Sequence, residues 1–163
     1  MIKLITGDIF EQNIDVLLHG ANCCNAMYSG IAGQIRKLLP EAIIADEATK
    51  SGDRKKLGTY SFARITKPNY SPCKIKYVVN GYCQFEPRTD IRACNYEATY
   101  RVLEAVRNSF GVKFNGCKTL GIPYKFQCGL AGGNWNIVNT MIQEVFENSG
   151  IRVLICAREQ DLS

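Results

Sequence analysis

Residues 14–19 read IDVLLH, an apolar run broken by one carboxylate. A strand with one face in water alternates apolar and polar residues, whereas a strand covered on both faces is apolar almost throughout. Parallel sheets in α/β proteins are covered on both faces by the helices that connect their strands. The run therefore predicts a buried strand in a largely parallel sheet.

Strand and helix patterns alternate along the chain on both sides of this run. Strands are predicted at 3–6, 58–65, 76–83, 119–122 and 152–156. A helix is predicted from about residue 31 to the interruption at Pro40, and a second helix follows it through residue 49. Two more helices are predicted at 93–109 and from about 134 to before Gly150. This order predicts an α/β fold, a three-layer α/β/α sandwich around a mixed, mostly parallel sheet. No repeat or linker divides the chain, so we expect a single domain over residues 1–163.

Composition sets limits on the class of protein. The 163 residues are 46% hydrophobic and 21% charged, which is typical of a folded globular domain. The first residues, MIKLITGD, do not resemble a signal peptide and no run of about 18 apolar residues follows, so we expect a cytoplasmic protein without a membrane partner. None of the eight cysteines forms a Cys-x-x-Cys pair. We therefore expect reduced thiols, no metal and no cofactor.

The formal net charge of +5 favours an anionic ligand. Basic residues cluster at 36–37, 50–56 and 74–76. These clusters lack the interleaved aromatic residues on which single-stranded bases stack. A solvated basic surface is the preferred interpretation, and no specific nucleic acid is expected.

Two glycine-bearing loops are the candidates for anion binding. The chain has neither Gly-Lys-Ser/Thr nor G-x-G-x-x-G after a strand, the usual phosphate signatures. Residues 129–133, GLAGG, instead lie between a predicted buried strand and a helix, and residues 20–33 have the same setting. Bare amides and a helix N-terminus at such places bind phosphates. Alternatively, Gly30 and Gly33 only allow close packing and Asn134 only caps a helix.

Five motifs recur at the ends of the predicted strands and in the loops that follow them: GDI at 7–9, HGAN at 19–22, SGIA at 29–32, GIP at 121–123 and QCGLAGGNW at 127–135. Together they resemble the motifs of the macro-domain family. The resemblance extends over almost the whole chain and is strongest to small phage and microbial proteins related to ADP-ribose-1''-phosphate phosphatases.

The resemblance implies a small-molecule partner, ADP-ribose or a derivative. It places Asp8 on the adenine amino group, the Ile9 amide on a ring nitrogen and Asn22 at the distal ribose. A carboxylate accepts from the adenine amino group but faces a carbonyl in guanine, so Asp8 would select adenine. Asp8 could also simply cap a turn. The implied ligand-binding residues are Gly7, Asp8, Ile9, Ala21, Asn22, Ser29, Gly30, Ile31, Ala32, Gln84, Pro123, Cys128, Gly129, Leu130, Ala131, Gly132, Gly133 and Asn134.

The reaction favoured from the sequence is hydrolysis of ADP-ribose-1''-phosphate to ADP-ribose and phosphate. His19, at the mouth of the cleft, would be the catalytic proton donor or relay; a buried core imidazole is the alternative. Gln84 and Ala131 replace the lysine and the acid of family branches that remove ADP-ribose, and Asn134 replaces the aspartate of a GGDW motif. Two other functions stay open, hydrolysis of an ADP-ribosyl bond and non-catalytic binding of ADP-ribose, which would bring in ADP-ribosylated macromolecules as partners.

Overall fold

A computed structural model describes residues 1–162 and shows one six-stranded sheet between helices. Its strands follow the order β1-β6-β5-β2-β4-β3, and every pair is parallel except β3 with β4. The predicted mixed, mostly parallel sheet is therefore confirmed. The strands are β1 (Ile2–Thr6), β2 (Val16–Asn22), β3 (Tyr60–Arg64), β4 (Tyr77–Gln84), β5 (Thr119–Pro123) and β6 (Arg152–Ala157).

The helices begin and end close to where the sequence predicts, with one displaced start. The third helix begins at Tyr96 rather than near residue 93, because the amides of Ala93 and Cys94 donate to Ala131 O and the Asn95 side chain caps the helix. The helices are α1 (Gly30–Leu38), α2 (Glu41–Glu47), α3 (Tyr96–Ser109), α4 (Trp135–Phe146) and α5 (Glu159–Leu162), and short 3-10 turns lie at Ile9–Glu11 and Arg54–Lys56. The last helix and both turns are too short to give a periodic pattern.

Hydrophobic cores on both faces of the sheet explain the unbroken apolar run. On β2, Val16 and Leu18 pack into the core beneath α3 and α4, while Leu17 packs into the opposite core beneath α1 and α2. All three side chains are fully buried. Each contributes roughly 1.5–3 kcal/mol by leaving water. No face of this strand meets solvent, so the alternation of a half-exposed strand is absent.

The parallel strands all end at one edge of the sheet, and this edge determines where a ligand site can form. The segments that follow β1, β6, β5, β2 and β4 meet there. In open α/β sheets, ligands bind beyond these carboxyl ends. Within residues 1–162, no helix is both long enough and apolar enough to span a membrane.

Candidate functional site

A cleft of about 670 Å³ runs across the carboxyl ends of the parallel strands. This volume is in the range of ordinary small-molecule sites, roughly 300–1,000 Å³. The cleft brings together most of the residues that the resemblance implies as ligand-binding. Those that line it are Gly7, Asp8, Ile9, Ala21, Asn22, Ser29, Gly30, Ile31, Ala32, Gln84, Pro123, Gly129, Leu130 and Ala131.

Asp8 lies at one end of the cleft, directly after the edge strand β1. Its Oδ1 atom accepts a hydrogen bond of 2.9 Å from the Phe10 amide and so caps the 3-10 turn at Ile9–Glu11. The capping role that the sequence left open is therefore real. It uses one carboxylate oxygen, and a carboxylate can accept further bonds at the other. The Ile9 amide opens the turn, where backbone donors have no partner within the helix.

Asn22 shapes the start of the first glycine loop, residues 20–33, at the end of β2. Its Oδ1 atom accepts from the amides of Cys24 at 2.9 Å and Ala26 at 3.3 Å, and its Nδ2 atom donates to Ala26 O at 2.8 Å. These bonds engage the oxygen and one of the two amide hydrogens. Asn22 lines the cleft. Its side chain mainly holds the loop and has one amide hydrogen left to donate.

A buried lysine, Lys56, also stabilises the first glycine loop by hydrogen bonds. The Lys56 ammonium donates to Cys23 O at 3.1 Å and to Asn25 Oδ1 at 2.7 Å. Asn25 has a φ of 57°, a left-handed conformation that asparagine tolerates better than most residues. The role of Lys56 was not predicted from the sequence. Lys56 belongs to the basic cluster at 50–56, and a local sequence pattern does not show which lysine of a cluster has a buried side chain.

The second glycine loop contributes only its first half to the cleft, and four of the residues expected to bind ligand lie outside the cleft lining. Asn134 caps α4, its side chain accepting from the Asn136 amide at 2.9 Å, and Cys128 donates its Sγ hydrogen to Phe126 O. Gly132 and Gly133 close the turn. A Cβ at Gly133 would lie 2.5 Å from Gln127 O, and one at Gly132 would lie 3.3 Å from the Arg92 backbone. These residues shape the loop without lining the cleft.

His19 does not lie at the mouth of the cleft, and the predicted position is wrong. The side chain is fully buried within β2, and its Nε2 atom lies 2.6 Å from Asn80 Oδ1 on β4. The Asn80 amide nitrogen donates to Ala42 O, so its oxygen faces the ring as an acceptor and Nε2 carries the hydrogen. Burial lowers the pKa of His19 to about 4, although the bond to Asn80 opposes the shift. The imidazole is a neutral core group.

Several cleft residues were not predicted from the sequence. Pro87, Arg88 and Thr89 come from the segment after β4, and Lys125 and Gln127 from the turn after β5. Arg158, the residue directly after β6, also lines the cleft. Their position along the chain could have identified these residues, since each of them follows the carboxyl end of a parallel strand. Gln84 itself turns back, its Nε2 atom donating to Glu86 O at 3.1 Å.

The cleft contains few groups suited to proton transfer. Burial raises the pKa of the Cys156 thiol to about 12, and the bond from Arg158 lowers the pKa of Asp161. Neither group suits general acid or base catalysis near neutral pH. Across residues 1–162, no cluster of three or more histidine, cysteine, aspartate or glutamate side chains could hold a metal ion.

Comparison with known proteins identifies the class of fold. The macrodomain of Mycobacterium tuberculosis DarG is 16% identical over 96% of this chain and 97% of that chain, with a TM-score of 0.76. Thermosipho africanus DarTG, solved in complex with ADP-ribose, is 17% identical over 98% of this chain and 42% of that chain, with a TM-score of 0.78. The chain therefore has the macrodomain fold.

Sequence comparison gives a nearer relative. The chain is 32% identical over 146 residues to an uncharacterized 17.5 kDa protein from the tk-vs intergenic region of Enterobacteria phage T4, covering 87% of this chain and 88% of the phage protein. No family model matches the sequence. The chain belongs to the same family as this phage protein.

Proposed function

We propose that the chain binds ADP-ribose or a derivative of it, with adenine at the Asp8 end of the cleft and the distal ribose at the Gln84 end. One observation carries the proposal. The strand order β1-β6-β5-β2-β4 places Asp8 and Gln84 at opposite ends of one cleft, with both glycine loops between them. An elongated ligand with a base at one end, a diphosphate in the middle and a sugar at the other end fits this order.

The length of the cleft agrees with such a ligand. Four strand spacings separate β1 from β4. At about 4.8 Å each, they span roughly 19 Å. A mononucleotide would fill only part of this distance, whereas two nucleoside-like halves joined through a diphosphate extend along most of it.

The adenine end has the polarity that adenine requires. Asp8 supplies an acceptor for the exocyclic amino group, and the Ile9 amide supplies a donor for a ring nitrogen. Guanine carries a carbonyl where adenine carries the amino group, and this carbonyl would face the carboxylate. The site should therefore prefer adenine.

The middle of the cleft offers backbone donors for phosphate. Ser29, Gly30 and Ile31 line it at the N-terminus of α1, and the Ser29 side chain makes no capping hydrogen bond. The first amides of a helix point outward unpaired and carry partial positive charge. Opposite them, a Cβ at Gly129 would meet no atom within 4 Å, so this backbone is open to a ligand.

Support for ADP-ribose as the ligand also comes from the neighbour solved with it. Thermosipho africanus DarTG holds ADP-ribose and has the same fold over 98% of this chain. Residues 86–92, which follow Gln84 at the proposed distal end of the cleft, are exposed. This exposure leaves room for a larger group on the distal ribose, such as an ADP-ribosylated macromolecule.

Binding is better supported by the geometry than any reaction. Hydrolysis of ADP-ribose-1''-phosphate stays a prediction from the resemblance, and it has lost its proposed proton donor because His19 is buried. Asn134, which replaces an acid, caps α4. Hydrolysis of an ADP-ribosyl bond would need water oriented by the phosphates of the substrate itself. We therefore propose binding of ADP-ribose, rather than a particular reaction, as the function of this cleft.

Calorimetric titration with ADP-ribose tests the binding, and phosphate release from ADP-ribose-1''-phosphate on the same preparation tests the reaction. We expect saturable 1:1 binding of ADP-ribose. Binding without phosphate release would support a non-catalytic ADP-ribose-binding function. Binding with phosphate release would support hydrolysis of ADP-ribose-1''-phosphate. Absence of heat and of any rise in melting temperature with excess ADP-ribose would refute the proposed function.

A further inference from the structure

Two of the cations that line the cleft are neutralised by acids of their own segments. Arg88 bonds both oxygens of Asp90, at 3.0 Å from Nε and 2.5 Å from Nη2, and approaches Glu86 at 3.7 Å. Arg158 bonds both oxygens of Asp161, each at 3.1 Å. A paired guanidinium contributes little net charge to a ligand beside it.

Lys125 is different. Among the cleft-lining residues that the structure describes, it is the cation with no carboxylate at ion-pair distance. Its ammonium lies 5.6 Å from the centre of the Tyr124 ring, a contact that orients the side chain without cancelling its charge. Lys125 is therefore the cleft cation without a direct ion pair. Its charge helps to lower the pKa of Asp161 at longer range, but that carboxylate bonds Arg158.

The backbone holds Lys125 at the middle of the cleft. It follows β5, which is the middle one of the five strands β1-β6-β5-β2-β4. Asp8 and Gln84, at the two ends of the cleft, follow the first of these strands and end the last. The Tyr124 amide donates to Cys156 O, the Phe126 amide to Pro123 O and the Cys128 amide to Lys125 O, at 2.9, 3.0 and 2.8 Å. Lys125 has a left-handed φ of 58°, an unfavourable conformation for a lysine that these bonds enforce. Such conformations cluster at functional sites.

We propose that Lys125 supplies the charge that selects a diphosphate over neutral adenosine compounds in this cleft. The inference rests on the proposed function, since it assigns the diphosphate of the same ligand. Backbone amides of the two loops carry only partial charges, whereas two ionised phosphates entering the cleft gain a full counter-charge from one ammonium. Lys125 thus makes the affinity depend on the anion, while Asp8 makes it depend on the base.

The test compares Lys125→Met with Lys118→Met by calorimetry, using ADP-ribose and adenosine as ligands at two salt concentrations. Lys118 precedes β5 at the opposite edge of the sheet and is exposed, so its variant has the same change in net charge away from the cleft. For Lys125→Met we expect the Kd for ADP-ribose to rise about 10-fold or more, with adenosine affinity within about 2-fold of wild type. Lys118→Met should bind both ligands as wild type does.

Two further measurements keep the role of charge separate from a role in folding. Lys125→Arg, which keeps the charge and the backbone demand, should retain most of the affinity for ADP-ribose. Raising the salt concentration should weaken ADP-ribose binding to the wild type more than to Lys125→Met, because screening acts on the charge that the variant lacks.

Distinct results would overturn the proposal and the function beneath it. Equal ADP-ribose affinity of Lys125→Met and wild type, or equal losses for adenosine and ADP-ribose, would overturn the role of Lys125 and leave the ligand assignment standing. A salt-independent Kd in the wild type would do the same even if the variants failed to fold. A wild type that binds neither ligand would remove both the proposal and the proposed function.

Discussion

At the scale of single residues, Asp8 has two roles that a pair of substitutions can separate. Its Oδ1 atom caps the turn at Ile9–Glu11, and its carboxylate is proposed to accept from adenine. Asp8→Asn keeps an oxygen for the cap but presents an amino group to the adenine amino group, whereas Asp8→Ala removes both functions. We expect each variant to weaken ADP-ribose binding by roughly 1–3 kcal/mol, and only Asp8→Ala to lower the melting temperature.

Calorimetry and thermal melting on both variants provide the check. Should Asp8→Asn bind ADP-ribose like the wild type, the carboxylate would be a cap alone and adenine would lie elsewhere.

His19 makes a different residue-scale prediction, one about stability against pH. Burial lowers its pKa in the folded state to about 4, whereas an unfolded histidine titrates near 6.5. A depressed histidine pKa means that the unfolded chain binds the proton first, so stability falls as the pH drops from about 6.5 towards 4. The loss should reach roughly 2–3 kcal/mol by about pH 4.5.

Urea unfolding at neutral pH and near pH 4.5 measures this loss, with His19→Gln as the matched variant. Glutamine can still donate to Asn80 Oδ1 but does not titrate, so its stability should fall less over the same interval. Equal losses for the two proteins would mean that the His19 ring is accessible to protons in the folded state.

At the scale of elements, the two halves of the second glycine loop should respond differently to the same substitution. Gly129 borders the cleft, has open space at its Cβ position and has no left-handed φ, so Gly129→Val should fold normally and lose ADP-ribose affinity by about 10-fold or more. Gly132 has a φ of 75° and faces the Arg92 backbone. Gly132→Val should therefore lower the free energy of unfolding by at least roughly 1 kcal/mol.

Thermal melting and ADP-ribose titration of both variants distinguish the halves. Normal affinity in a folded Gly129→Val protein would show that the diphosphate does not approach this backbone.

At the scale of the whole molecule, the sequence predicted the mixed, mostly parallel sheet. Apolar runs such as residues 14–19 predict buried strands because their burial on two faces leaves no polar position. The side-chain environment was harder to predict. The direction of His19 depends on its pairing with Asn80, which lies 61 residues further along the chain. The ion pairs of Arg88 with Asp90 and of Arg158 with Asp161 depend on short local segments, which a periodic sequence pattern does not predict.

Selective binding of ADP-ribose through its adenine can be measured by titrating the wild-type protein with ADP-ribose and with guanosine diphosphate ribose. The two ligands share the diphosphate and both sugars and differ only in the base that would meet Asp8. We expect saturable binding of ADP-ribose and a Kd for the guanosine compound at least about 10-fold higher, because the guanine carbonyl would face the Asp8 carboxylate. Equal affinities for the two ligands would contradict adenine selection by Asp8, and no binding of ADP-ribose would contradict the proposed ligand.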